Sequence, residues 1–198
     1  SNHYQREALD RTHRWAKRSL DHHQKLNNEK AVVGVGTPTA LFGIVQGGRS
    51  EILRKESAEA IATMTHMGAD GVTVGFDGFG IGGSFDKKDM TSAVKWVNEI
   101  LPEEKPRHLL GIGEPEDLFS GIENGVDLFD CVAPTRIARN GGLYTVHGKI
   151  NLTNAKFTRD FSKPDEACGC YTCQNFTRAY VSHLFRADEM LAATLASI

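Results

Sequence analysis

The stretch Val126–Gly142, which reads VDLFDCVAPTRIARNGG, holds the residues best suited to chemistry. Its apolar segment Val126–Val132 contains one carboxylate, Asp130, and predicts a strand that breaks at Pro134 into a loop. That loop carries three polar side chains: Arg136, Arg139 and Asn140. A carboxylate at the C-terminal end of a strand, followed by guanidinium groups, suits a nucleophile that acts on a polyanionic substrate. A buried aspartate that caps a turn, with arginines on the surface, fits the same residues, and this stretch alone leaves both interpretations open.

A cysteine cluster near the C-terminus indicates a metal site. Three of the four cysteines are Cys168, Cys170 and Cys173, whereas Cys131 directly follows Asp130. This short spacing in a cysteine-poor chain favours metal thiolates over disulfides, and therefore a reducing compartment. A closed thiolate site is structural, because it leaves no open position for a substrate.

The composition limits the class of protein. The chain has 198 residues, of which 40% are hydrophobic and 24% charged, and its formal net charge is −2. These values predict one large globular domain or part of one, and any contact with nucleic acid must come from a local basic patch. No apolar run approaches the roughly 18 residues of a membrane span, and the N-terminus has no signal-peptide core. We therefore expect a cytoplasmic protein without a membrane partner.

The middle of the chain repeats a strand followed by a helix. Four apolar runs predict strands: Ala40–Val45, Gly71–Ile81, His108–Ile112 and Val126–Val132. Three helical patterns lie between them: Ile52–Met67, Lys88–Leu101 and Pro115–Asn124. Apolar strands that alternate with helices predict an α/β fold with a parallel sheet covered on both faces.

The predicted strands repeatedly end in glycine. These ends are Gln46-Gly47-Gly48, Gly82-Gly83 and Gly111-Ile112-Gly113. Glycine lets a ligand approach the backbone closely, and in βα barrels the strand C-terminal ends form the catalytic face. Glycines that only permit tight turns are the alternative interpretation. Four βα units amount to half of an eight-unit barrel, which typically takes about 250 residues, so the pattern predicts half of a TIM-type barrel.

Different patterns flank these units. Arg6–Asn27 predicts a helix whose outer face is basic, and Glu29–Thr39 predicts a loop or short hairpin. Most of the basic face is expected to be solvated, and RNA contact is the less favoured alternative. Towards the C-terminus, Leu143–Val146 and Lys149–Leu152 predict a hairpin, and Thr177–Ile198 predicts one helix.

Several segments together resemble the tRNA-guanine transglycosylases, also called queuine tRNA-ribosyltransferases. They are RTHRWAKR (Arg11–Arg18), FGIVQGG (Phe42–Gly48), GFGIGG (Gly78–Gly83), HLLGIGEPEDL (His108–Leu118), LFDCVAPTRIARNGGLYT (Leu128–Thr145) and CGCYTCQNFTRAYVSHL (Cys168–Leu184). The likeness covers nearly the whole chain and corresponds to the C-terminal part of the family's barrel with most of its zinc subdomain. It implies that residues 1–133 are βα units of a TIM-like barrel. Residues 134–198 would then be an anticodon-loop-binding segment and a partial zinc-binding subdomain.

The resemblance also implies a reaction. In that family an aspartate attacks C1′ of guanosine 34 in the GUN anticodon of a tRNA, and guanine leaves. A 7-deazaguanine base, preQ1 or queuine, then displaces the aspartate in queuosine biosynthesis. By resemblance Asp130 is this nucleophile, Gln46 and Gly83 hydrogen-bond the base, and Leu110 packs against it. The residues implied to hold the anticodon loop are Arg136, Arg139 and Asn140.

The cysteines match three of four ligands of the family's structural zinc ion: Cys168, Cys170 and Cys173. The fourth family ligand is a histidine that would fall just beyond Ile198 at this spacing. His183 is the less favoured alternative within the chain. The open sheet edges of a half-barrel invite association, so we expect a homo-oligomer, a dimer.

Two departures from the family bear on function. The segment Ser84–Lys88 replaces the usual loop after Gly83, which leaves the accepted deazaguanine open. The family's general acid/base aspartate lies in an N-terminal half with no counterpart here, so we expect the 198-residue chain to be inactive alone. The alternative function is a non-catalytic RNA-binding or partner subunit of the same family. A third hypothesis is an unrelated barrel enzyme with an added zinc ribbon. Asp130 favours the enzyme, because a scaffold subunit does not need it.

Overall fold

The computed structural model describes residues 2–33, 36–82 and 89–198. Gly83 and the segment Ser84–Lys88, for which roles are implied above, lie outside the described residues. The chain divides into two compact units, Ser1–Cys131 and Val132–Ile198. None of the helices in the described ranges has the length and apolar character that a membrane span requires.

Helices and strands alternate along the first unit. In chain order they are α1 (Asn2–Val33), β1 (Phe42–Val45), α2 (Glu51–Ala62), β2 (His66–Met67), β3 (Thr73–Val74), β4 (Gly78–Ile81), α3 (Met90–Asn98), β5 (Arg107–Leu109), α4 (Pro115–Glu123) and β6 (Leu128–Phe129). Four strands form a parallel sheet in the order β1-β4-β5-β6, while β2 and β3 form a short antiparallel pair. The expected α/β class with a parallel sheet is confirmed.

The core of the first unit lies where helices pack against this sheet. Its fully buried side chains come from both layers and include Leu20, Val45, Ala58, Ile61, Phe79, Ile81, Val94, Val97 and Leu109. Burying one large aliphatic side chain stabilises the fold by about 1.5–3 kcal/mol. Strands β1, β4 and β5 all contribute side chains to this core. The buried side chains therefore hold the C-terminal ends of these strands in place.

Local sequence explains where two of the helices begin. Ser50 caps α2, since its Oγ accepts a hydrogen bond from the Leu53 N–H at 3.4 Å. Pro115 lies in the first turn of α4, where its missing N–H costs nothing. Gly125 follows the last turn of α4 with φ at 81°, a conformation that favours glycine and ends the helix.

Several boundaries in the first unit differ from the sequence-based expectation. The helix expected for Ile52–Met67 ends at Ala62, and His66–Met67 is strand β2. Helix α1 continues to Val33 because neither glycine nor proline interrupts it, so the start of the expected loop Glu29–Thr39 is helical. The expected strand Gly71–Ile81 is the two strands β3 and β4. The expected strand Val126–Val132 pairs only over β6, at Leu128–Phe129.

The second unit combines a hairpin with four helices and a short 3-10 turn in its described residues. The elements are α5 (Ala133–Arg139), β7 (Gly142–Thr145), β8 (Gly148–Asn151), the 3-10 turn Ala155–Phe157, α6 (Tyr171–Asn175), α7 (Arg178–Arg186) and α8 (Met190–Ser197). The expected hairpin is confirmed, because β7 and β8 pair antiparallel. A separate core holds this unit together: Leu152, Phe157, Val181, Leu184, Ala192 and Leu195.

Two expectations for the second unit are wrong. The segment after Pro134 is helix α5 and not a loop, because proline in a first turn favours a helix rather than breaking it. The single helix expected for Thr177–Ile198 is instead α7 and α8. The chain turns between them at Asp188, whose φ of 54° is incompatible with a continuing right-handed helix.

Candidate active site

The candidate site lies along the C-terminal ends of the parallel sheet. The last paired residues of its four strands stand in one register: Val45, Ile81, Leu109 and Phe129. The residue that follows each of them is, in the same order, Gln46, Gly82, Leu110 and Asp130. Neighbouring strands lie about 4.8 Å apart, so these four residues form a row roughly 14 Å long. Three residues singled out from the sequence are in this row, and the fourth, Gly83, follows Gly82 but lies outside the described residues.

Asp130 presents its carboxylate at one end of the row. Its Oδ1 accepts a hydrogen bond from the Gly111 N–H at 3.0 Å and lies 3.0 Å from Nε2 of His108. Nε2 is not aligned for a hydrogen bond with this oxygen, so the second contact is a close approach of the ring nitrogen. In the part of the chain that the structure describes, Oδ2 of Asp130 has no partner, and 58% of the side chain is exposed. The carboxylate is thus held by one oxygen and open at the other.

Side chains of the neighbouring strands cover the glycines of β4. A Cβ placed on Gly82 would lie 3.1 Å from Nε2 of Gln46, and one placed on Gly80 would lie 3.3 Å from Cδ1 of Leu110. The same added atom on Gly80 would lie 2.7 Å from Cδ1 of Ile44. Residues two apart on a strand share a face, so Gln46 and Leu110 lean over the same face of β4. A larger residue at Gly80, or at Gly82 just after β4, would press on these side chains.

A buried guanidinium connects the segments that follow β1 and β4. Arg54 of α2 is fully buried, donating from Nε to the Gly48 carbonyl at 2.7 Å and from Nη1 to the Gly82 carbonyl at 3.0 Å. Burial lowers the pKa of Arg54 to about 10, so the group remains charged at neutral pH. A buried cation is stable only with such partners. The sequence pattern gave no signal for Arg54, which reads as an ordinary polar residue of an amphipathic helix.

Replacing Arg54 with methionine is expected to lower the free energy of unfolding by about 3 kcal/mol, because two carbonyls lose a charged donor. Lys55→Met on the same helix is the control. Lys55 makes an exposed pair with Glu51, and exposed pairs contribute little to stability. Urea unfolding of both variants checks the difference. Equal losses would show that the Arg54 hydrogen bonds do not hold the strand ends.

The residues implied to contact RNA lie in the second unit, on one face of α5. Arg136 and Arg139 are one turn apart and exposed, and Asn140 caps the helix with its side-chain amide donating to the Arg136 carbonyl at 2.8 Å. Neither guanidinium pairs with a carboxylate within the described ranges. This face therefore presents two uncompensated positive charges to solvent.

The three cysteine sulfurs are close enough to share one metal ion. The Sγ atoms of Cys168, Cys170 and Cys173 all lie within 4.8 Å of one another, and His183 does not join them among the described residues. The Cys173 N–H lies 3.5 Å from Sγ of Cys170, and the Cys170 N–H lies 3.5 Å from Sγ of Cys168. The hydrogen bond from Cys173 lowers the pKa of Cys170, while burial raises the pKa of Cys173 to about 12. A soft divalent cation would stabilise thiolates in this arrangement, so the donor set fits zinc.

Asp165 braces the segment that leads into this cluster. Its Oδ2 accepts the Val146 N–H at 2.8 Å and its Oδ1 accepts the Ala167 N–H at 2.9 Å. These backbone hydrogen bonds lower the pKa of Asp165. The carboxylate thereby ties the β7–β8 turn to the chain just before Cys168.

Known proteins of one family match this sequence over nearly its whole length. A family model described as queuine tRNA-ribosyltransferase matches residues 1–198. Proteins named queuine tRNA-ribosyltransferase from Thermoanaerobacter pseudethanolicus and Actinobacillus pleuropneumoniae are 46% and 43% identical over 198 residues, and that from Bacillus subtilis is 43% identical over 195. These alignments cover 97–98% of this chain and 46–48% of the relatives. The chain therefore spans about half the length of the curated relatives that it matches.

Proposed function

Because the chain belongs to the queuine tRNA-ribosyltransferase family, we propose that a full-length protein carrying it exchanges guanine 34 of a tRNA for a 7-deazaguanine base, with Asp130 as nucleophile. The observation that carries the proposal is the geometry of Asp130. Its carboxylate stands at the end of a parallel strand, with Oδ1 engaged by Gly111 and His108 and with Oδ2 open. A carboxylate is ionised at neutral pH, so it attacks without a base to deprotonate it.

The proposed reaction has two displacements at one carbon. Oδ2 of Asp130 forms a bond to C1′ of the ribose, and the glycosidic bond breaks with its electron pair going to guanine, which takes up a proton. The incoming base then bonds to C1′ and loses a proton, and the carboxylate leaves with the electron pair of the ester bond. By resemblance, the group that gives and takes this proton is an aspartate of the family's N-terminal half. The family places guanosine 34 of a GUN anticodon in this site.

The row of strand ends provides a place for the base. Gln46 offers an amide that hydrogen-bonds a purine edge, and Leu110 offers an apolar surface for the ring. The proposed backbone contact from Gly83 completes this set. By resemblance, the segment Ser84–Lys88, which departs from the family, helps to select between preQ1 and queuine.

The second unit is proposed to hold the RNA. The exposed charges of Arg136 and Arg139 suit phosphate oxygens or base edges of the anticodon loop, and Asn140 extends the same helical face. Residues 134–198 would then form the anticodon-loop-binding segment and part of the zinc subdomain, after barrel units in residues 1–133. The parallel sheet supports half of a TIM-type barrel, the architecture that resemblance implies.

Zinc is proposed to bind Cys168, Cys170 and Cys173, with a histidine just beyond Ile198 as the fourth ligand. A closed zinc site of this kind stabilises the local fold and takes no part in the displacements. A dimer is also proposed, in the cytoplasm. In support, Tyr171 and Tyr180 are 59% and 41% exposed, and Phe176 stacks on Tyr180 with ring centroids 5.3 Å apart. Exposed aromatic residues are enriched at protein–protein interfaces. Light scattering tests the dimer, and a measured mass of one chain would contradict it.

Exchange of labelled guanine into a tRNA with a GUN anticodon tests the function. The full-length protein should incorporate the label, whereas the 198-residue chain should not, because by resemblance the group that assists guanine as it leaves belongs to the family's N-terminal half. General acid–base assistance contributes about 10²–10⁴-fold in rate. A tRNA whose position 34 is adenosine is the control substrate. RNA binding without exchange by the full-length protein would point instead to a non-catalytic partner subunit.

A further inference from the structure

We propose that His108 is a positioning residue for Asp130, fixing which carboxylate oxygen attacks and supporting the carboxylate when it leaves. The inference rests on the proposed function, since it assigns a role to a second group, besides the Gly111 N–H, that contacts the nucleophile. The sequence pattern marks Gly111 as a strand-end glycine but assigns no role to His108. The spatial neighbourhood of Asp130 is the signal for His108.

His108 lies beside Asp130 on the same side of the sheet. It lies in the middle of β5, two residues before Leu110, so both side chains are on the face that carries the row of strand ends. Its Nε2 atom is fully buried and lies 3.0 Å from Oδ1 of Asp130 without an aligned hydrogen bond. A buried imidazole nitrogen without a partner is costly, and the nearby carboxylate oxygen is an acceptor that would satisfy it.

The contact makes the two carboxylate oxygens inequivalent. Oδ1 accepts the Gly111 N–H and lies 3.0 Å from Nε2 of His108, whereas Oδ2 has no partner among the described residues. Hydrogen bonds to a carboxylate oxygen hold negative charge there and fix the side-chain rotamer. Oδ2 is therefore the oxygen that forms the bond to C1′. Oδ1 then becomes the carbonyl oxygen of the ribosyl ester.

His108 matters most when the ester breaks. In the second displacement the incoming base bonds to C1′, the C1′–Oδ2 bond breaks, and its electron pair returns to the carboxylate. Negative charge then develops on Oδ1, beside the Gly111 N–H and the His108 ring nitrogen, and donors placed in advance at a developing charge accelerate such a step. The base loses its proton to a carboxylate of the full-length protein. Loss of His108 should therefore slow release of the covalent intermediate more than its formation.

The test compares His108→Phe with His108→Gln in the full-length protein. Phenylalanine keeps a ring but donates nothing, whereas the glutamine amide nitrogen reaches about the position of Nε2. We expect His108→Phe to lower kcat about 10- to 100-fold, the equivalent of one hydrogen bond to a charged group. The KM for tRNA should change little, the covalent RNA adduct should accumulate, and His108→Gln should recover most of the rate. His3→Phe, whose side chain is 82% exposed, is the matched control.

A second measurement needs no variant of His108 to fold. In protein labelled with nitrogen-15 at histidine, the His108 signal should show the proton on Nε2, and Asp130→Ala should change it. An unchanged signal would overturn the contact, whether or not the protein exchanges guanine. Normal exchange by His108→Phe, or a glutamine variant no better than phenylalanine, would overturn the positioning role. Absence of exchange by the unmodified protein would instead overturn the proposed function.

Discussion

Replacing Asp130 with asparagine in the full-length protein is expected to lower guanine exchange by at least about 10⁴-fold, as removal of a covalent nucleophile does in other enzymes. An amide oxygen carries no charge and is a poor nucleophile, so no ribosyl ester should form. The fold should be unaffected, since the side chain is 58% exposed and the asparagine oxygen can still accept the Gly111 N–H. A denaturing gel of protein incubated with tRNA and without added base should show the adduct only for the unmodified enzyme.

Two further variants sharpen the Asp130 experiment. Asp130→Glu keeps the charge but moves the oxygen by one methylene, so it should retain more activity than asparagine and less than the original residue. Glu116→Gln removes an exposed carboxylate in the first turn of α4 and should leave exchange unchanged. An Asp130→Asn variant that still forms the adduct would show that another residue is the nucleophile.

Replacing Cys170 with alanine in the full-length protein is expected to remove its zinc and the stable fold of the region around it. A structural zinc site contributes about 10–16 kcal/mol of binding free energy that is coupled to folding. The second unit has a small core of its own, so loss of the metal should leave its hairpin and short helices poorly protected. Metal analysis should find one zinc per unmodified chain and none in the variant. Amide hydrogen exchange should become faster in residues 132–198 and stay slow in β1, β4 and β5.

Cys131→Ala is the control for the cysteine experiment. Cys131 is not part of the three-sulfur cluster, so this variant should keep its zinc. Zinc retained by Cys170→Ala would contradict the ligand assignment. Zinc lost without any change in hydrogen exchange would show instead that the metal does not stabilise this unit.

The sequence by itself determined the family, the α/β class with its parallel sheet, and the cysteine cluster. The family rests on the resemblance of motifs along nearly the whole chain. The fold class and the cluster follow from short-range information: apolar runs of strand length, helical periodicity, and spacings within six residues such as Cys168–Cys173. The β7–β8 hairpin is equally local, because its turn closes within a few residues around Gly148. Local patterns failed where two outcomes share the same residues. Pro134 permits either a loop or a first helical turn, and the interruption at Asp188 has no breaker residue to announce it.

Only the tertiary structure decided which side chains meet at the candidate site. His108 and Asp130 are 22 positions apart, and they are neighbours because β5 and β6 pair in the register that sets Leu109 beside Phe129. A strand pattern indicates which face a residue occupies, but not the register of its neighbour, and a shift of one residue would turn Asp130 to the opposite face. The burial of Arg54 is likewise a long-range result, since its carbonyl partners belong to two different strand ends. These positions depend on pairing and packing between strands that are distant in sequence. A pattern within one short segment therefore does not predict them.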